Sequence, residues 1–256
     1  MPSIKDQSIL IIGGSSGIGF AVAQLALEQG CRVAIASSNP TRISTAVTSL
    51  KSSLPPLPSN YISGHECDLG GPDIEDRLLS LFTSVTSDGA DLLDHVVYTA
   101  VAGITVTPLD KISAEDVKKA GHFHGVAPMM IAKVAPRFLK EGYKSSLIFT
   151  SGQIAEKPMK GWSVQVAYAT GLYGMTRGLA LDLAPRRVNC VSPGPTITEL
   201  WGPKEMREKR AEMMKKGMLL GKVGSPEEVA EAYVYLMRDW NATGIVVSSN
   251  GGGLTD

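Results

Sequence analysis

The chain has 256 residues, 43% of them hydrophobic, and its 25 basic and 25 acidic residues give a formal net charge of zero. This length suits one large α/β domain with a sizeable core, so residues 1–256 are predicted to form a single domain. The balanced charge does not favour nucleic acid or an anionic membrane surface as a partner, which leaves a small molecule as the expected ligand.

The cysteine pattern and the N-terminal segment both bear on the compartment. Cys31, Cys67 and Cys190 are odd in number and far apart, which predicts reduced thiols and a cytoplasmic protein rather than a disulfide framework. Residues 1–14 hold only a short apolar run, so they predict a strand and neither a signal peptide nor a membrane span. No residues have metal-ligand spacing, so no metal is predicted.

Short β-branched runs alternate with longer helical patterns along the chain. The first three predicted strands are each followed by a helix, which begins near Ile18, Thr41 and Asp73. The seven predicted strands are residues 8–13, 32–37, 61–66, 94–100, 145–151, 187–192 and 244–249. This alternation is typical of an α/β fold in which a parallel sheet is covered by helices on both faces. The proline-rich segment 52–60 predicts an extended surface connector.

The segment "GGSSGIG" lies between the first strand and the first helix. Its glycines allow a tight turn and a close approach to a pyrophosphate, and the following helix offers free N–H groups and the positive end of its dipole. An ordinary turn is the alternative. The predicted phosphate-binding residues are Gly13, Ser15, Ser16, Gly17, Ile18 and Gly19.

The end of the second strand predicts which nicotinamide cofactor binds. NAD-binding proteins place an acidic residue there, which accepts hydrogen bonds from the ribose diol and repels the extra phosphate of NADP. This chain has Ser37, Ser38 and Asn39 instead, and Arg42 begins the next helix. The absent carboxylate favours NADP(H), with these four residues as its contacts. Arg42 has the alternative of being a solvated surface charge.

Further motifs extend over most of the chain: "CDL" at 67–69, "RVNCVSPGPTIT" at 187–198, "GSPEEVAEAYVYLM" at 224–237 and "TGIVVSSNGGG" at 243–253. Together with the spacing G-x-x-x-G-x-G they resemble the short-chain dehydrogenase/reductase family. The resemblance implies a single-domain Rossmann fold with a seven-stranded parallel sheet, and a homo-oligomer, either a tetramer or a dimer. It also implies adenine contacts from Asp68 and Leu69, and nicotinamide contacts from Pro193, Gly194, Thr196 and Thr198.

The fourth strand departs from the family pattern. The family usually has N-N-A-G where this chain has Tyr98, Thr99, Ala100 and Val101. Thr99 and Ala100 are therefore expected to form the floor of the cofactor site without the usual amide side chains.

The proton-transfer residues of the family are altered as well. Family members reduce their substrates with a tyrosine acid, a lysine four residues later that lowers the tyrosine pKa, a serine that holds the substrate oxygen, and an asparagine. Counting back from "TRGLALDLAP" places Gln165 and Ala169 at the tyrosine and lysine positions. The serine is retained as Ser151, and the asparagine position falls near His122.

Two residue types offer a substitute acid. Tyr168 lies about 60° around the helix from Gln165, and no lysine follows it four residues later. Packing between helices is its alternative role. His122 and His124 lie near the expected site, and an imidazole titrates near neutrality; a buried structural role is the alternative for each. The candidate catalytic residues are Ser151, Tyr168 and His124.

Residues from about 199 to 222 are predicted to form a mobile substrate lid. Its expected apolar lining, together with Trp162, favours an apolar substrate that is polycyclic or aromatic. The lining residues are Trp201, Met206, Met213, Met214, Met218 and Leu219.

The segments at 95–100, 157–163 and 168–185 resemble a mainly fungal, secondary-metabolite group of the family that lacks the Tyr/Lys pair. That group includes indole-alkaloid enzymes that reduce an iminium and guide a Diels–Alder cyclisation; His124 and Met159 stand where those enzymes use an Arg and an Asp. The predicted function is NADPH-dependent reduction of a secondary-metabolite carbonyl, imine or iminium. The alternative is a non-redox cyclase or isomerase, or a cofactor-binding protein without catalysis, on the same scaffold.

Overall fold

Seven strands form one sheet in the order β3-β2-β1-β4-β5-β6-β7, and every pair of neighbouring strands is parallel. The computed structural model describes residues 1–55, 58, 60–101, 103 and 106–255. The strands are β1 Ser8–Ile12, β2 Arg32–Ser37, β3 Ile62–Glu66, β4 His95–Tyr98, β5 Ser146–Thr150, β6 Arg187–Pro193 and β7 Val246–Ser249. All seven predicted strands are confirmed.

Helices cover both faces of the sheet, as the alternation of elements predicts. The helices are α1 Gly17–Glu28, α2 Pro40–Ser53, α3 Ile74–Val85, α4 Ala114–Gly121, α5 Ala127–Val134, α6 Ser163–Asp182, α7 Lys204–Met214 and α8 Pro226–Arg238. None of the described helices is long and apolar enough to cross a membrane.

The side chains of β1 divide the core into two layers. Leu10 and Ile12 belong to one buried apolar cluster, whereas Ile9 and Ile11 belong to the other. Successive residues of a strand point to opposite faces, so each layer packs one face of the sheet against its helices. The sheet therefore has no solvent-facing side at its centre, which explains its near-continuous apolar strands.

Helix ends follow local sequence signals. Asn39 accepts a hydrogen bond from the backbone N–H of Arg42 at the start of α2, and Ser225 forms a capping box with Glu228 at the start of α8. The end of α2 differs from the prediction, because this helix continues through Ser53 into the expected connector. Positions 56, 57 and 59 of that connector lie outside the described residues.

The order of the strands decides where a ligand can bind. The chain runs outward from β1 through β2 to β3, then returns to the other side of β1 with β4. The loops that follow β1 and β4 therefore leave the sheet in opposite directions and open a crevice at its carboxyl edge.

Candidate active site

A single cleft of about 910 Å³ occupies this crevice. It is lined from the ends of six strands, by residues that include Gly13, Ser37, Cys67, Thr99 and Ser151. The predicted cofactor residues that line it are Gly13, Ser15, Ser16, Gly17, Ile18, Gly19, Ser37, Ser38, Arg42, Asp68, Leu69, Thr99, Ala100, Pro193, Gly194, Thr196 and Thr198. The folded chain thus brings into one cleft predicted cofactor residues that are up to 185 positions apart in sequence, counting from Gly13 to Thr198.

The glycine-rich loop packs directly against the end of β4. A Cβ atom on Gly19 would lie 2.3 Å from the carbonyl oxygen of Gly13 and 2.5 Å from Oγ1 of Thr99. The Thr99 hydroxyl donates to the Gly13 carbonyl at 3.2 Å. Gly13 has a φ of +100°, a conformation open to glycine and strained for other residues. These two positions therefore require glycine.

The first turn of α1 is open toward the cleft. Ser16 precedes the helix in an extended conformation, and its side chain caps none of the free N–H groups. Uncapped N–H groups and the positive end of the helix dipole favour an anion at this position. The glycine cradle and the open helix end fit the diphosphate of a dinucleotide.

The loop after β2 holds the residues that bear on cofactor choice. Ser15 and Ser37 are hydrogen-bonded through their hydroxyls at 3.0 Å, and the exposed side chain of Arg42 lines the cleft beside Ser38. Asn39 differs from the prediction. Its side chain caps α2 by accepting from the Arg42 N–H at 2.9 Å, and it is not among the described residues that line the cleft.

Asp68 and Leu69 form the wall of the cleft beyond β3. The Asp68 carboxylate accepts from the N–H of Gly70 at 2.9 Å, and its second oxygen lies 3.7 Å from the Arg77 guanidinium. The Leu69 carbonyl accepts a hydrogen bond from Nε2 of His122. His122 is therefore committed to holding this wall and is not among the described lining residues.

The other end of the cleft contains Ser151 and the N-terminal half of α6. Gln165 and Ala169, which the family resemblance assigns to the tyrosine and lysine positions, both line the cleft. The Ser151 hydroxyl donates to the carbonyl oxygen of Ala169 at 2.9 Å. The hydroxyl proton of Ser151 is therefore already engaged in a hydrogen bond to the backbone. The hydroxyl oxygen can still accept a hydrogen bond from a ligand.

Tyr168 does not reach the cleft, contrary to the prediction. Its hydroxyl donates to the Val117 carbonyl at 3.0 Å, and its ring packs on α4, where a Cβ on Gly121 would lie 2.5 Å from the hydroxyl oxygen. Each helical residue turns by about 100°, so Tyr168 faces α4 while Gln165 and Ala169 face the cleft. Tyr168 therefore packs between α6 and α4, which is its alternative role.

A π-helical turn over His122–Val126 joins α4 to α5 and carries His124 into the cleft. The buried Tyr98 hydroxyl donates to the Phe123 carbonyl at 2.7 Å and fixes this turn on β4. Burial lowers the pKa of His124 from its ordinary value, because a desolvated imidazole resists protonation. His124 is therefore neutral at pH 7.

The predicted lid consists of a 3₁₀ turn at Glu199–Trp201, then α7, then a second 3₁₀ turn at Lys215–Gly217. Trp201, Met214 and Met218 line the cleft from this segment, and Trp162 lines it from the start of α6. The predicted lining is wrong for three side chains, because they point to solvent with exposed fractions of 45%, 66% and 67%. These are Met206, Met213 and Leu219.

Several residues of the cleft were not predicted from sequence. Gln153, Lys157 and Glu199 line it, and Gln153 Nε2 donates to the Gly253 carbonyl at 3.1 Å. Oε1 of Gln153 is buried without a hydrogen-bond partner among the described residues. Gln153 and Lys157 lie two and six residues after Ser151, a proximity that offered a signal. No group of three or more potential metal ligands occurs in the described part of the chain.

The parallel sheet, the glycine cradle at the strand-order reversal and the open helix end define a dinucleotide-binding protein of the Rossmann class. The family model "SDR-like rossmann domain" matches residues 3–255, and the chain belongs to the short-chain dehydrogenase/reductase family of oxidoreductases, which use a nicotinamide cofactor.

Several curated relatives come from fungi. The chain is 49% identical over 253 residues to the short-chain dehydrogenase/reductase ATR9 of Stachybotrys chlorohalonatus, with 98% of each chain covered. It is 41% identical to fsr5 of Gibberella fujikuroi, covering 96% of this chain and 94% of the relative. The solved structure of the MalC reductase/Diels-Alderase from Malbranchea aurantiaca superposes with a TM-score of 0.92 at 37% identity, covering 98% of this chain and 97% of that one.

The glycine cradle generates a direct test. Replacing Gly19→Ala is expected to weaken NADPH binding by about tenfold or more, because the new Cβ would displace the Gly13 carbonyl that shapes the cradle. Isothermal titration of the purified variant with NADPH measures this loss. Gly178→Ala on α6 is the matched control, since its Cβ position has no described atom within 4 Å other than those of its chain neighbours and of the surrounding helix backbone. Equal affinity of a folded Gly19→Ala variant and the wild type would contradict this account of the cradle.

Proposed function

We propose that this protein is an NADPH-dependent reductase of a secondary-metabolite carbonyl, imine or iminium, and that it acts in the cytoplasm. The proposal depends on one observation, which is that the cleft is continuous from the cofactor residues to the candidate catalytic residues. One cavity joins the phosphate cradle at Gly13 and Gly19 to the chamber beside Ser151, His124 and Trp162. A nicotinamide bound there supplies the hydride. The three buried cysteines without disulfides suit a reducing compartment.

The choice of NADPH is supported by the surroundings of Arg42. Ser37 at the end of β2 and Ser38 after it are neutral donors, and the segment from Ser37 to Arg42 contains no acidic residue. Arg42 makes no ion pair within the described part of the chain, and its side chain lies at the cleft. A guanidinium offers several donors to a phosphate, which the additional phosphate of NADPH would use.

Removal of this guanidinium tests the cofactor preference. Arg42→Ala is expected to weaken NADPH binding by about tenfold, since charge-assisted hydrogen bonds to a phosphate are lost, and to leave NADH binding unchanged. Titration of both cofactors into the variant measures the two effects. Lys51→Ala, an exposed position near the end of α2, controls for a general loss of positive charge. An equal loss for NADPH and NADH would contradict the assignment of Arg42.

The residues around the chamber support substrates that need little help from a proton donor. Tyr168 donates to Val117 outside the cleft, and the Ser151 hydroxyl donates to Ala169. Ser151 therefore presents an acceptor, which would orient an N–H group of an imine or iminium. An iminium accepts hydride without a proton, whereas a carbonyl draws its proton from His124 or from water.

The size and lining of the cleft support an apolar substrate of considerable size. At about 910 Å³ it is at the upper end of small-molecule sites, and it must accommodate both cofactor and substrate. Trp162, Trp201, Met214 and Met218 contribute large apolar surfaces at the substrate end. Such a lining suits a polycyclic or aromatic ring system better than a small polar metabolite.

A second candidate function is cyclisation or isomerisation without redox chemistry. It is favoured by the high similarity to a protein described as a reductase/Diels-Alderase, and by the neutral His124 within a largely apolar chamber. In this alternative, the cofactor-filled cleft serves as a template that holds two reacting parts of one substrate together.

The two functions are separated by following the cofactor. Purified protein is expected to oxidise NADPH, measured at 340 nm, with at least one member of a panel of polycyclic ketones, cyclic imines and iminium salts. Mass spectrometry with deuterated NADPH then locates the transferred hydride. A protein that binds NADPH yet oxidises none of it with the entire panel would contradict the reductase proposal and favour the second candidate.

The pH dependence identifies the role of His124. Because burial lowers its pKa, the neutral form persists at pH 7 and above, and the charged form grows only below the ordinary value of about 6.5. With a ketone, the rate is expected to be flat above pH 7 and to rise as the pH falls, since imidazolium is the better acid. With an iminium, the rate is expected to fall over the same range, since imidazolium repels the cation.

The variant His124→Gln should abolish both slopes. Tyr168→Phe is the matched control, because its hydroxyl contacts Val117 away from the cleft, and it should keep the wild-type profile. Slopes that persist in His124→Gln would show that another group titrates.

A further inference from the structure

An acidic side chain lies beside the phosphate cradle. Glu199 directly follows Thr198, lines the cleft, and places Oε2 3.6 Å from the position of a Cβ on Gly17. Gly17 is the first residue of α1, whose N–H groups are uncapped by the Ser16 side chain. A carboxylate at this position opposes the binding of an anion to the helix end, because like charges at short range repel.

The partner of this carboxylate comes from the lid segment. Nη1 of Arg207, on α7, lies 3.4 Å from Oε1 of Glu199, which is a long separation for a charge-assisted hydrogen bond. Nε of Arg207 is buried and has no hydrogen-bond partner among the described residues. Arg207 therefore lies behind Glu199 as seen from the cradle, outside the described residues that line the cleft. It has donors that Glu199 leaves unused, although buried N–H donors of this kind are normally satisfied.

These two charges have opposite effects on a dinucleotide. The diphosphate is anionic and is attracted by Arg207, while Glu199 repels it. A guanidinium has a planar set of donors that matches phosphate oxygens. Its present partner is one exposed carboxylate, with an exposed fraction of 59%, and such ion pairs contribute little stability. The exchange of a carboxylate for a diphosphate is therefore favourable for Arg207.

We propose that Arg207 is a ligand for the cofactor diphosphate, and that Glu199 holds its guanidinium beside the cradle and releases it when the dinucleotide binds. This inference rests on the proposed cofactor site. Arg207 is on α7, so its transfer to the diphosphate couples cofactor binding to the position of the lid segment that carries Trp201 and Met214 into the cleft. Glu199 acts as a competitor of the cofactor.

Two variants with opposite expected signs test the proposal. Arg207→Gln should weaken binding of NADPH and of ADP-ribose by about fivefold, and Glu199→Gln should tighten both by about threefold, magnitudes typical of partly exposed charge pairs. Adenosine 2′-monophosphate has no diphosphate, so its affinity should stay unchanged in both variants. Isothermal titration gives the three dissociation constants without any enzymatic turnover.

The same helix supplies matched controls. Lys204 and Glu208 form a pair on α7 at 3.9 Å, with exposed fractions of 83% and 65% against 27% for Arg207. Lys204→Gln and Glu208→Gln change the net charge by the same amounts as the test variants and should leave all three affinities unchanged. Arg207→Lys should retain part of the affinity, because it keeps the charge and loses the planar donor set. Thermal unfolding of each variant verifies that it is folded.

The outcomes separate the inference from the proposed function. Opposite shifts in the two test variants, confined to ligands with a diphosphate, support the inference. If both folded variants weaken binding, the pair is a structural brace for the lid and the inference is wrong. If neither variant changes the affinity of a wild-type chain that binds ADP-ribose, the inference is also wrong. A wild-type chain that binds neither NADPH nor ADP-ribose would overturn the proposed function together with the inference.

Discussion

The contact between the glycine-rich loop and the end of β4 is the constraint on which the rest of the cleft depends. Gly13 and Gly19 lie so close to each other and to Thr99 that neither has room for a Cβ atom. The Thr99 hydroxyl donates to the carbonyl of Gly13. This carbonyl therefore has a hydrogen-bond donor other than the N–H groups of α1. Those N–H groups remain available to an anion, and their position relative to β5 and β6 determines which side chains surround the far end of a bound dinucleotide.

At that far end, one set of contacts determines which candidate proton donor faces the cleft. The Tyr98 hydroxyl holds the π-helical turn through Phe123, and His122 holds it through Leu69. The turn brings His124 into the cleft, and α6 packs Tyr168 against the preceding helix at Gly121. The packing that introduces an imidazole thus also keeps the nearby phenol out. π-Helical turns are often found at functional sites. In this protein the turn presents His124 to the cleft, whereas Tyr168 lies outside it.

Much of this could be predicted from sequence because it depends on local patterns. The strands and the start of each early helix follow from apolar runs and turn residues, and the glycine spacing identifies the cradle. Asn39, Tyr168 and Met206 were misplaced because their roles depend on details of direction: a cap that uses the Asn39 side chain, a rotation of about 60° on α6, and the orientation of α7. Gln153 and Glu199 were missed because their positions require the C-terminal glycines and the lid segment to fold back over the cleft.

The two ends of the cleft differ in the charges and protons that they offer a ligand. At the proposed cofactor end, Arg42 and the open end of α1 present positive charge toward the cleft. The substrate end is poor in available protons, because the hydroxyl protons of Ser151 and Tyr168 are donated to backbone carbonyls and burial keeps His124 neutral. For the proposed reduction, this scarcity of protons favours an iminium over a carbonyl. Protonation of His124 would raise the rate with a carbonyl and lower it with an iminium, and it therefore distinguishes the two substrate classes.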